Sequence, residues 1–118
     1  MKSLLILDDS DDIMFVLGEF LKSKYEIIGK THTIAQAEEA LIQHPFTHLI
    51  VDYRIERKAL ELMLLQRWRV TYPNIEYIAI FTGLHLDRRL WPNGCDELFQ
   101  KPEDLRRLLR MMCEMAAR

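Results

Sequence analysis

The chain has 118 residues, the length of one ordinary domain, and such a chain can bury roughly two-thirds of the surface that it exposes when unfolded. Hydrophobic residues make up 49% of it, with four Gly and four Pro, which excludes a disordered or low-complexity chain. The net charge of -2 does not favour nucleic acid as a partner, and neither a signal-peptide pattern nor an apolar run near the roughly 18 residues of a membrane span occurs.

The first two elements are a strand and a helix. The apolar run at residues 3–7 is too short for a buried helix and predicts a strand covered on both faces. Apolar residues then recur at helical spacing over 13–21, with Ser10 or Asp11 placed to cap the helix. The pair forms a strand followed by a helix.

This unit repeats twice. Residues 25–31 predict a second strand, and the apolar face that begins at Ile34 predicts a helix ending at His44 before a proline. A third strand is predicted over 47–53, and the apolar spacing over 60–72 predicts a long helix that ends before the next proline.

The last third of the chain is less regular. A fourth strand is predicted over 75–82, after which the weak segment 83–94 allows at most a short or irregular fourth helix. A brief strand over 96–101 and an apolar helical face over 105–115 complete the pattern. Five strands alternating with helices predict an α/β fold: a five-stranded parallel sheet doubly wound with helices on both faces.

Polar side chains follow four of the five predicted strands. Asp8 and Asp9 end the first strand, Asp52 the third, Thr82 the fourth and Lys101 the fifth. Each alone is an ordinary turn, cap or surface residue. Because the carboxyl ends of parallel strands meet at one edge, where such sheets bind ligands, we expect these side chains to lie together.

Such a cluster needs cations. Two carboxylates about 4 Å apart repel by ~1 kcal/mol in bulk water and ~4 kcal/mol at an effective dielectric near 20. Lys101 supplies one positive charge, and Mg²⁺, a hard ion that binds carboxylates and waters, would supply two more. A carboxylate beside Mg²⁺, a lysine and a hydroxyl is suited to phosphoryl transfer.

In this order, the residues resemble the receiver domains of two-component response regulators. The resemblance covers essentially the whole chain and is carried by Asp8-Asp9 after L-L-I-L, Asp52 in L-I-V-D-Y, Thr82 in I-F-T-G and Lys101-Pro102 in L-F-Q-K-P. It implies a flavodoxin-like receiver fold. We expect residues 1–118 to be a single stand-alone receiver domain, bacterial and cytoplasmic, with no membrane partner.

The resemblance also assigns roles at the acidic edge. Asp52 would be the phosphoacceptor, charged by a histidine kinase or a histidine phosphotransfer protein. Asp9 would ligate Mg²⁺ directly, Asp8 directly or through water, and Asp52 and the backbone carbonyl of Arg54 would complete the metal site. Asp11 and Asp12 match no family position and are interpreted as helix-entry charges.

The resemblance also assigns two residues that would respond to the phosphoryl group. Lys101 would pair with the phosphoryl oxygens, and Thr82 would hydrogen-bond the phosphoryl group and move toward it. The resemblance implies that the phosphorylated form binds an unidentified downstream protein, relays the phosphoryl group, or dimerises from a monomer.

The chain departs from the family pattern after the phosphoacceptor. Residues 54–59 lack the usual Pro and Gly, which predicts a stiffer and more helical loop. We expect the guanidinium of Arg54 to pair with Glu56, contact the phosphoryl group or hinder attacking water, and so to tune the phosphoryl lifetime.

A second departure lies near the fifth strand. Leu98 replaces the usual switch aromatic and cannot trade a hydroxyl between environments, whereas Phe99 points to the opposite face. The segment between Thr82 and Lys101 is also short. Both changes affect the surface through which receivers usually dock.

That surface is basic. A docking surface for an acidic partner, with a tryptophan anchor, and an ordinary solvated face are both compatible with its composition. Its residues are Arg88, Arg89, Trp91, Arg106, Arg107 and Arg110.

Two other functions remain open. A pseudo-receiver scaffold would keep the fold but bind partners independently of phosphorylation. A phosphatase of the superfamily that forms an aspartyl-phosphate after its first strand would need further acidic ligands after Lys101, where only a helix is predicted. We therefore expect no enzyme beyond self-phosphorylation and self-dephosphorylation.

Overall fold

Parallel strands and helices alternate along residues 2–118, the part of the chain that the computed structural model describes. The strands are β1 (Ser3–Leu7), β2 (Ile27–Thr31), β3 (His48–Val51), β4 (Arg54–Ile55), β5 (Lys58–Ala59), β6 (Tyr77–Thr82) and β7 (Glu97–Gln100). The helices are α1 (Asp11–Leu21), α2 (Ile34–Gln43), α3 (Leu64–Thr71) and α4 (Leu105–Ala116). Over these residues, no helix is both long and apolar enough to cross a membrane.

The main sheet has five parallel strands in the order β2-β1-β3-β6-β7, which confirms the predicted doubly wound fold. Residues of β1, β3 and β6 are buried along their whole length because helices cover both faces of the sheet. Alternate side chains of these strands therefore pack into two separate cores, one on each face of the sheet. Leu5 and Leu7 pack with α2 and α3, whereas Leu4 and Ile6 pack with α1 and α4.

Side-chain hydroxyls start the first two helices. The Oγ of Ser10 accepts a hydrogen bond from the Ile13 backbone N–H, so Ser10, rather than Asp11, caps α1. Asp11 and Asp12 lie in the first turn of α1, where negative charge stabilises the helix dipole. Thr33 caps α2 in the same way.

The segment after β3 differs from the prediction. Instead of a helical loop, β4 and β5 form a two-stranded antiparallel hairpin, and α3 begins only at Leu64 rather than near Leu60. The side chain of Ile55 is only 2% exposed, and the Leu60 backbone N–H donates to the Tyr53 carbonyl at 2.8 Å. Burial of these two apolar residues outweighs helix propensity over the segment.

Left-handed backbone angles close the hairpin. Glu56 and Arg57 have φ of 55° and 67°, the signs that a two-residue hairpin turn requires and that Asn-Gly normally supplies. A left-handed conformation costs a non-glycine residue roughly 1–2 kcal/mol. The turn is therefore strained locally and is maintained by the packing of the segments on either side.

The predicted short or irregular fourth helix is confirmed as a single 3-10 turn at Arg88–Leu90. The chain beyond it packs on the start of α3, where the Asn93 backbone N–H donates to the Leu62 carbonyl at 3.0 Å. Gly94 has φ of 91°, and a Cβ there would lie 2.8 Å from the backbone N of Gln66. Only glycine allows this close approach.

A histidine is buried at the opposite edge of the sheet from the carboxyl ends. The side chain of His48 is 1% exposed, its Nδ1 lies 2.7 Å from the Thr47 hydroxyl, and its ring packs edge-on against Tyr25. Burial lowers the pKa of His48 below its ordinary value, and the nearby charges of Glu76 and Lys2 act in opposite directions. His48 is therefore neutral at pH 7.

Replacing Glu56-Arg57 by Asn-Gly should raise the free energy of unfolding by about 1 kcal/mol, since both residues accept left-handed angles. Urea unfolding followed by the fluorescence of the buried Trp68 measures this. Lys24→Gly is the control, because Lys24 is exposed and has no positive φ. An equal gain in the control variant would contradict the assignment of strain to this turn.

The free energy of unfolding should depend on pH through the protonation of His48. Since folding lowers its pKa, the unfolded chain binds more protons, and the stability from neutral His48 is present at neutral pH and lost as pH falls below about 6.5. His48→Gln should flatten this decline in thermal unfolding scans. An unchanged pH slope in His48→Gln would contradict this assignment.

Candidate functional site

The parallel register brings the predicted polar residues to one edge of the sheet. Leu7 of β1 lies opposite Val51 of β3, and the Asp52 backbone N–H donates to the Leu7 carbonyl at 2.9 Å. Asp8 and Asp52 therefore leave the sheet side by side. In the same way, the Lys101 backbone N–H donates to the Thr82 carbonyl at 2.7 Å, which joins the ends of β6 and β7.

One lysine bridges the two buried carboxylates. The Nζ of Lys101 lies 2.8 Å from the Oδ2 of Asp8 and 3.0 Å from the Oδ2 of Asp52. Asp8 is 3% exposed and Asp52 9% exposed, so these charge-assisted bonds replace most of the water that the carboxylates lose on folding. The Ser10 backbone N–H also donates to Asp8, at 2.9 Å.

A third carboxylate opens the cluster to solvent. Each of Asp8, Asp9 and Asp52 offers an oxygen that lies within 4.8 Å of the other two, and Asp9 is exposed. Asp11 and Asp12 are outside this group, and Asp11 pairs with the Nε2 of His32 at 2.6 Å. The four acids of residues 8–12 thus form two groups. Asp8 and Asp9 belong to the carboxylate cluster, whereas Asp11 and Asp12 lie in the first turn of α1.

The charges in the cluster do not balance. Burial is the largest influence on Asp8 and raises the pKa of its carboxyl, although the hydrogen bonds from Lys101 and Ser10 act against it. Burial lowers the pKa of Lys101, but its bonds and attraction to Asp8 and Asp52 outweigh this effect and leave the pKa raised. The lysine therefore stays charged while the carboxylates exceed it in number.

The donor set fits a hard divalent cation. Three carboxylates, one of them facing solvent, offer the oxygen ligands that Mg²⁺ prefers and leave room for waters. Arg54 begins beside this group, because its backbone N–H donates to the Oδ1 of Asp52 at 3.4 Å. The Arg54 backbone therefore borders the residues that would hold the ion.

The Arg54 side chain turns along the hairpin. Its guanidinium donates to the Arg57 carbonyl at 3.4 Å, and over residues 2–118 it makes no ion pair with Glu56. The expected Arg54–Glu56 pair is therefore absent. The two alternatives, contact with a phosphoryl group or hindrance of water, remain predictions.

Thr82 is linked to the chain that leads into α4. Its side chain is 1% exposed, and its Oγ1 accepts from the Leu84 backbone N–H at 3.3 Å. Its carbonyl also accepts from the side chain of Gln100 at 3.0 Å, and the Gln100 backbone N–H donates to Asp104 at 2.8 Å. The sequence analysis missed Gln100 and Asp104, because only the folded chain places Gln100 against Thr82 and Asp104 against Gln100.

Leu98 and Phe99 lie on opposite faces of β7, as predicted. Leu98 is buried in the core beneath α2 and α3, whereas Phe99 is buried in the core beneath α1 and α4. Leu98 has no hydroxyl, so it can form no side-chain hydrogen bond with Thr82.

The arginines expected to form a docking surface differ in their contacts. Arg107 pairs with Glu97 at 3.1 Å and with Asp104 at 3.3 Å, and its guanidinium lies 4.3 Å from the ring centroid of Phe99. Its side chain is therefore held by the protein itself. Arg106 and Arg110 on α4 are exposed.

The loop part of this surface is also partly engaged. Trp91 is half-buried, its Nε1 donates to the Leu86 carbonyl at 3.3 Å, and Arg88 lies 4.9 Å above its ring. Arg89 pairs with Asp87 at 3.0 Å. Trp91 is thus anchored in this loop and presents only part of its ring to solvent.

Solved receiver domains share this fold. No family model and no curated protein sequence matches the chain. A two-component response regulator from Clostridium difficile matches with a TM-score of 0.82 and 19% identity over 100% of this chain and 98% of that one. A response regulator from Thermotoga maritima matches with a TM-score of 0.80 and 17% identity, over 100% and 99% of the two chains.

A third structure contains a modified residue. It is a response regulator from Burkholderia pseudomallei with a phosphorylated aspartic acid, a calcium ion and citrate, and it matches with a TM-score of 0.76 and 19% identity over 99% of this chain and 71% of that one. Structural neighbours that are receiver domains thus cover the whole of the 118-residue chain. At these identities, the likeness establishes the fold.

Replacing Asp8 by Asn should stabilise the protein without divalent metal. Because folding raises the pKa of Asp8, its ionised form opposes folding once the pH rises above the ordinary carboxyl range, and Asn removes that charge. Thermal unfolding in chelator should therefore show a higher Tm for Asp8→Asn. Added Mg²⁺ should raise the Tm of the wild-type protein and have little effect on this variant.

Asp12→Asn is the matched control. Asp12 is exposed in the first turn of α1 and lies outside the carboxylate cluster. It should lose about 0.3–1 kcal/mol of helix-dipole stabilisation and keep the full response to Mg²⁺. A wild-type Mg²⁺ response in Asp8→Asn would show that the cluster does not hold the ion.

Proposed function

We propose that this chain is a phosphoacceptor receiver domain of a two-component phosphorelay, in which Asp52 accepts a phosphoryl group from a histidine of a kinase or phosphotransfer protein. The observation that supports this most directly is the bridge of Lys101 between Asp8 and Asp52, with Asp9 within reach, at the ligand-binding edge of a receiver-type sheet. It is proposed as a single receiver domain over residues 1–118, acting in the cytoplasm.

Asp52 is oriented as a nucleophile. One of its oxygens accepts from the Arg54 backbone N–H and the other from Lys101, while 9% exposure leaves the carboxylate accessible. In the transfer, an Asp52 oxygen bonds to phosphorus, the N–P bond of the donor phosphohistidine breaks, and the imidazole leaves with the bonding electrons. This transfer changes no oxidation state and therefore needs no oxidant or reductant.

The same edge would hold Mg²⁺. Its ligands would be Asp8, Asp9, Asp52 and the backbone carbonyl of Arg54. When bound, the ion neutralises the non-bridging phosphoryl oxygens. Lys101 neutralises a further phosphoryl oxygen. The negative charge of the phosphoryl group would replace the Asp52 carboxylate as a partner of Lys101.

Thr82 couples the modification to the surface. Over residues 2–118, its hydroxyl accepts one hydrogen bond, at 3.3 Å from the Leu84 N–H, so its proton is available to a phosphoryl oxygen. A shift of Thr82 would move its carbonyl, which carries hydrogen bonds from Lys101 and Gln100. We propose that the readout is binding of a downstream protein, relay of the phosphoryl group, or dimerisation, and not turnover of a separate substrate.

A phosphorylation-independent scaffold is the second candidate. Buried Leu98 supplies no switchable hydroxyl, and residues 83–94 contain one 3-10 turn in place of a full helix. Residues 83–94 also carry Arg88, Arg89 and Trp91 of the expected docking surface. In this alternative, the partner would bind equally well with Asp52 unmodified.

Incubation with acetyl phosphate and Mg²⁺ should add the mass of one phosphoryl group to the wild-type protein and nothing to Asp52→Asn. Intact-mass spectrometry measures the adduct. Beryllofluoride with Mg²⁺ should change the fluorescence of Trp91, whose ring packs in the loop after Thr82. Trp68→Phe should keep this fluorescence change, because Trp68 lies on α3, where it is buried and its Nε1 donates to Glu38 of α2.

Two results separate the candidates. The absence of an Asp52-dependent adduct would reject the phosphoacceptor function. An adduct without any Mg²⁺-dependent or beryllofluoride-dependent change at Trp91 would favour the scaffold, in which modification and binding are uncoupled.

Arg54→Ala should shorten the phosphoryl lifetime several-fold, the equivalent of about 1 kcal/mol in the hydrolysis barrier, because the guanidinium contacts the phosphoryl group or hinders attacking water. The loss of the phosphorylated mass with time gives the rate. Arg57→Ala is the control, since Arg57 meets Arg54 only through its carbonyl. An unchanged rate in Arg54→Ala removes this role.

A further inference from the structure

The hairpin of β4 and β5 forms one wall of a groove on the side of the sheet covered by α2 and α3. The groove has a volume of about 410 Å³, within the range of protein ligand sites. It runs between the hairpin and the first residues of the two helices. Several lining residues are exposed, so the groove opens to solvent along the hairpin.

The floor of the groove is apolar. Ile34 at the start of α2 and Leu64 at the start of α3 face Ile55 and Leu60 of the hairpin segment. Ile55, Leu60 and Leu64 also belong to the core beneath these helices, and Ile34 packs against it. This largely buried apolar floor can accept an apolar side chain from another molecule.

The hairpin beside the groove carries three positive charges, of which that of Lys58 lines the groove. Arg54, Arg57 and Lys58 are exposed, and over residues 2–118 none of them forms an ion pair. Glu56 is the single acid of the hairpin.

The other acid at the groove is already neutralised. The two carboxylate oxygens of Glu61 accept from the guanidinium of Arg67 at 2.9 and 3.1 Å. In a chain with a net charge of -2, the hairpin therefore carries three cations against one acid, Glu56.

We propose that this groove binds a peptide segment of a partner protein in which an apolar side chain is flanked by Asp or Glu. The apolar side chain would occupy the floor between Ile34 and Ile55, and the acids would pair with Lys58, which lines the groove, and with Arg57, its neighbour in the chain. Such a combination of apolar pocket and complementary charge is how grooves recognise short segments. The site is separate from the carboxylate cluster and does not depend on phosphorylation of Asp52.

The floor distinguishes a peptide from a nucleic acid. A nucleic-acid site would need cations spaced along a phosphate backbone or aromatic rings for base stacking. The residues that line the groove include no aromatic ring, and the apolar floor offers no contact to phosphates. An apolar and acidic segment matches both parts of the surface.

Phage display of short random peptides on the Asp52→Asn protein tests this proposal. Selection should enrich peptides with an apolar residue next to Asp or Glu, and the amide signals of Ile55, Leu60 and Leu64 should shift when a selected synthetic peptide is added in NMR titrations. The use of Asp52→Asn keeps the result independent of phosphoryl chemistry.

Substitutions in the hairpin test whether the peptide binds in this groove. Arg57→Glu with Lys58→Glu should weaken peptide binding about tenfold or more, and Ala59→Trp should fill the groove and abolish it. Lys24→Glu with Arg118→Glu makes the same change in net charge next to the ends of α1 and α4 and should leave the affinity unchanged. Circular dichroism confirms that each variant is folded, and a salt titration of the wild-type protein gives a second measure of the charge contribution.

Three results would overturn the proposal: enrichment of peptides without acids, equal affinity in the two double charge variants, or NMR shifts outside the groove. Tighter binding of a labelled single-stranded DNA than of the selected peptide would assign the hairpin to nucleic acid instead.

Discussion

The ammonium of Lys101 holds the carboxyl edge of the sheet together. Asp8 and Asp52 lose most of their hydration on folding, and two carboxylates this close oppose the fold unless a cation lies between them. Lys101 meets both, but a single positive charge cannot neutralise three acids. This residual negative charge is the physical basis for proposing a divalent cation and, with it, a phosphoryl group at this edge.

The sheet supplies the precision that this interaction needs. The pairing of β1 with β3 places Asp8 beside Asp52, and the pairing of β6 with β7 places Lys101 beside Thr82. A shift of one residue in either pairing would turn the apolar side chains away from their cores. The two buried cores therefore fix the register, and the register in turn fixes the distances at the site.

Departures from the expected pattern cluster on one side of the molecule. The hairpin after Asp52 adopts left-handed angles at Glu56 and Arg57 that its sequence does not favour, and the segment 83–94 forms a single 3-10 turn against α3. Local strain of this kind persists where surrounding structure supports it, and it often accompanies function. Here the hairpin follows Asp52 and segment 83–94 follows Thr82, so both irregular segments border the carboxyl edge.

The sequence by itself determined the fold class and the residues at the carboxyl edge, because buried parallel strands leave continuous apolar runs and the residue after each run must lie at that edge. It could not reveal the hairpin, since segment 54–59 has helix-compatible residues and only the burial of Ile55 and Leu60 selects the strands. Nor could it reveal the bonds of Gln100 and Asp104 or the groove beside Lys58. These depend on contacts between residues distant in the chain, which only the tertiary structure decided.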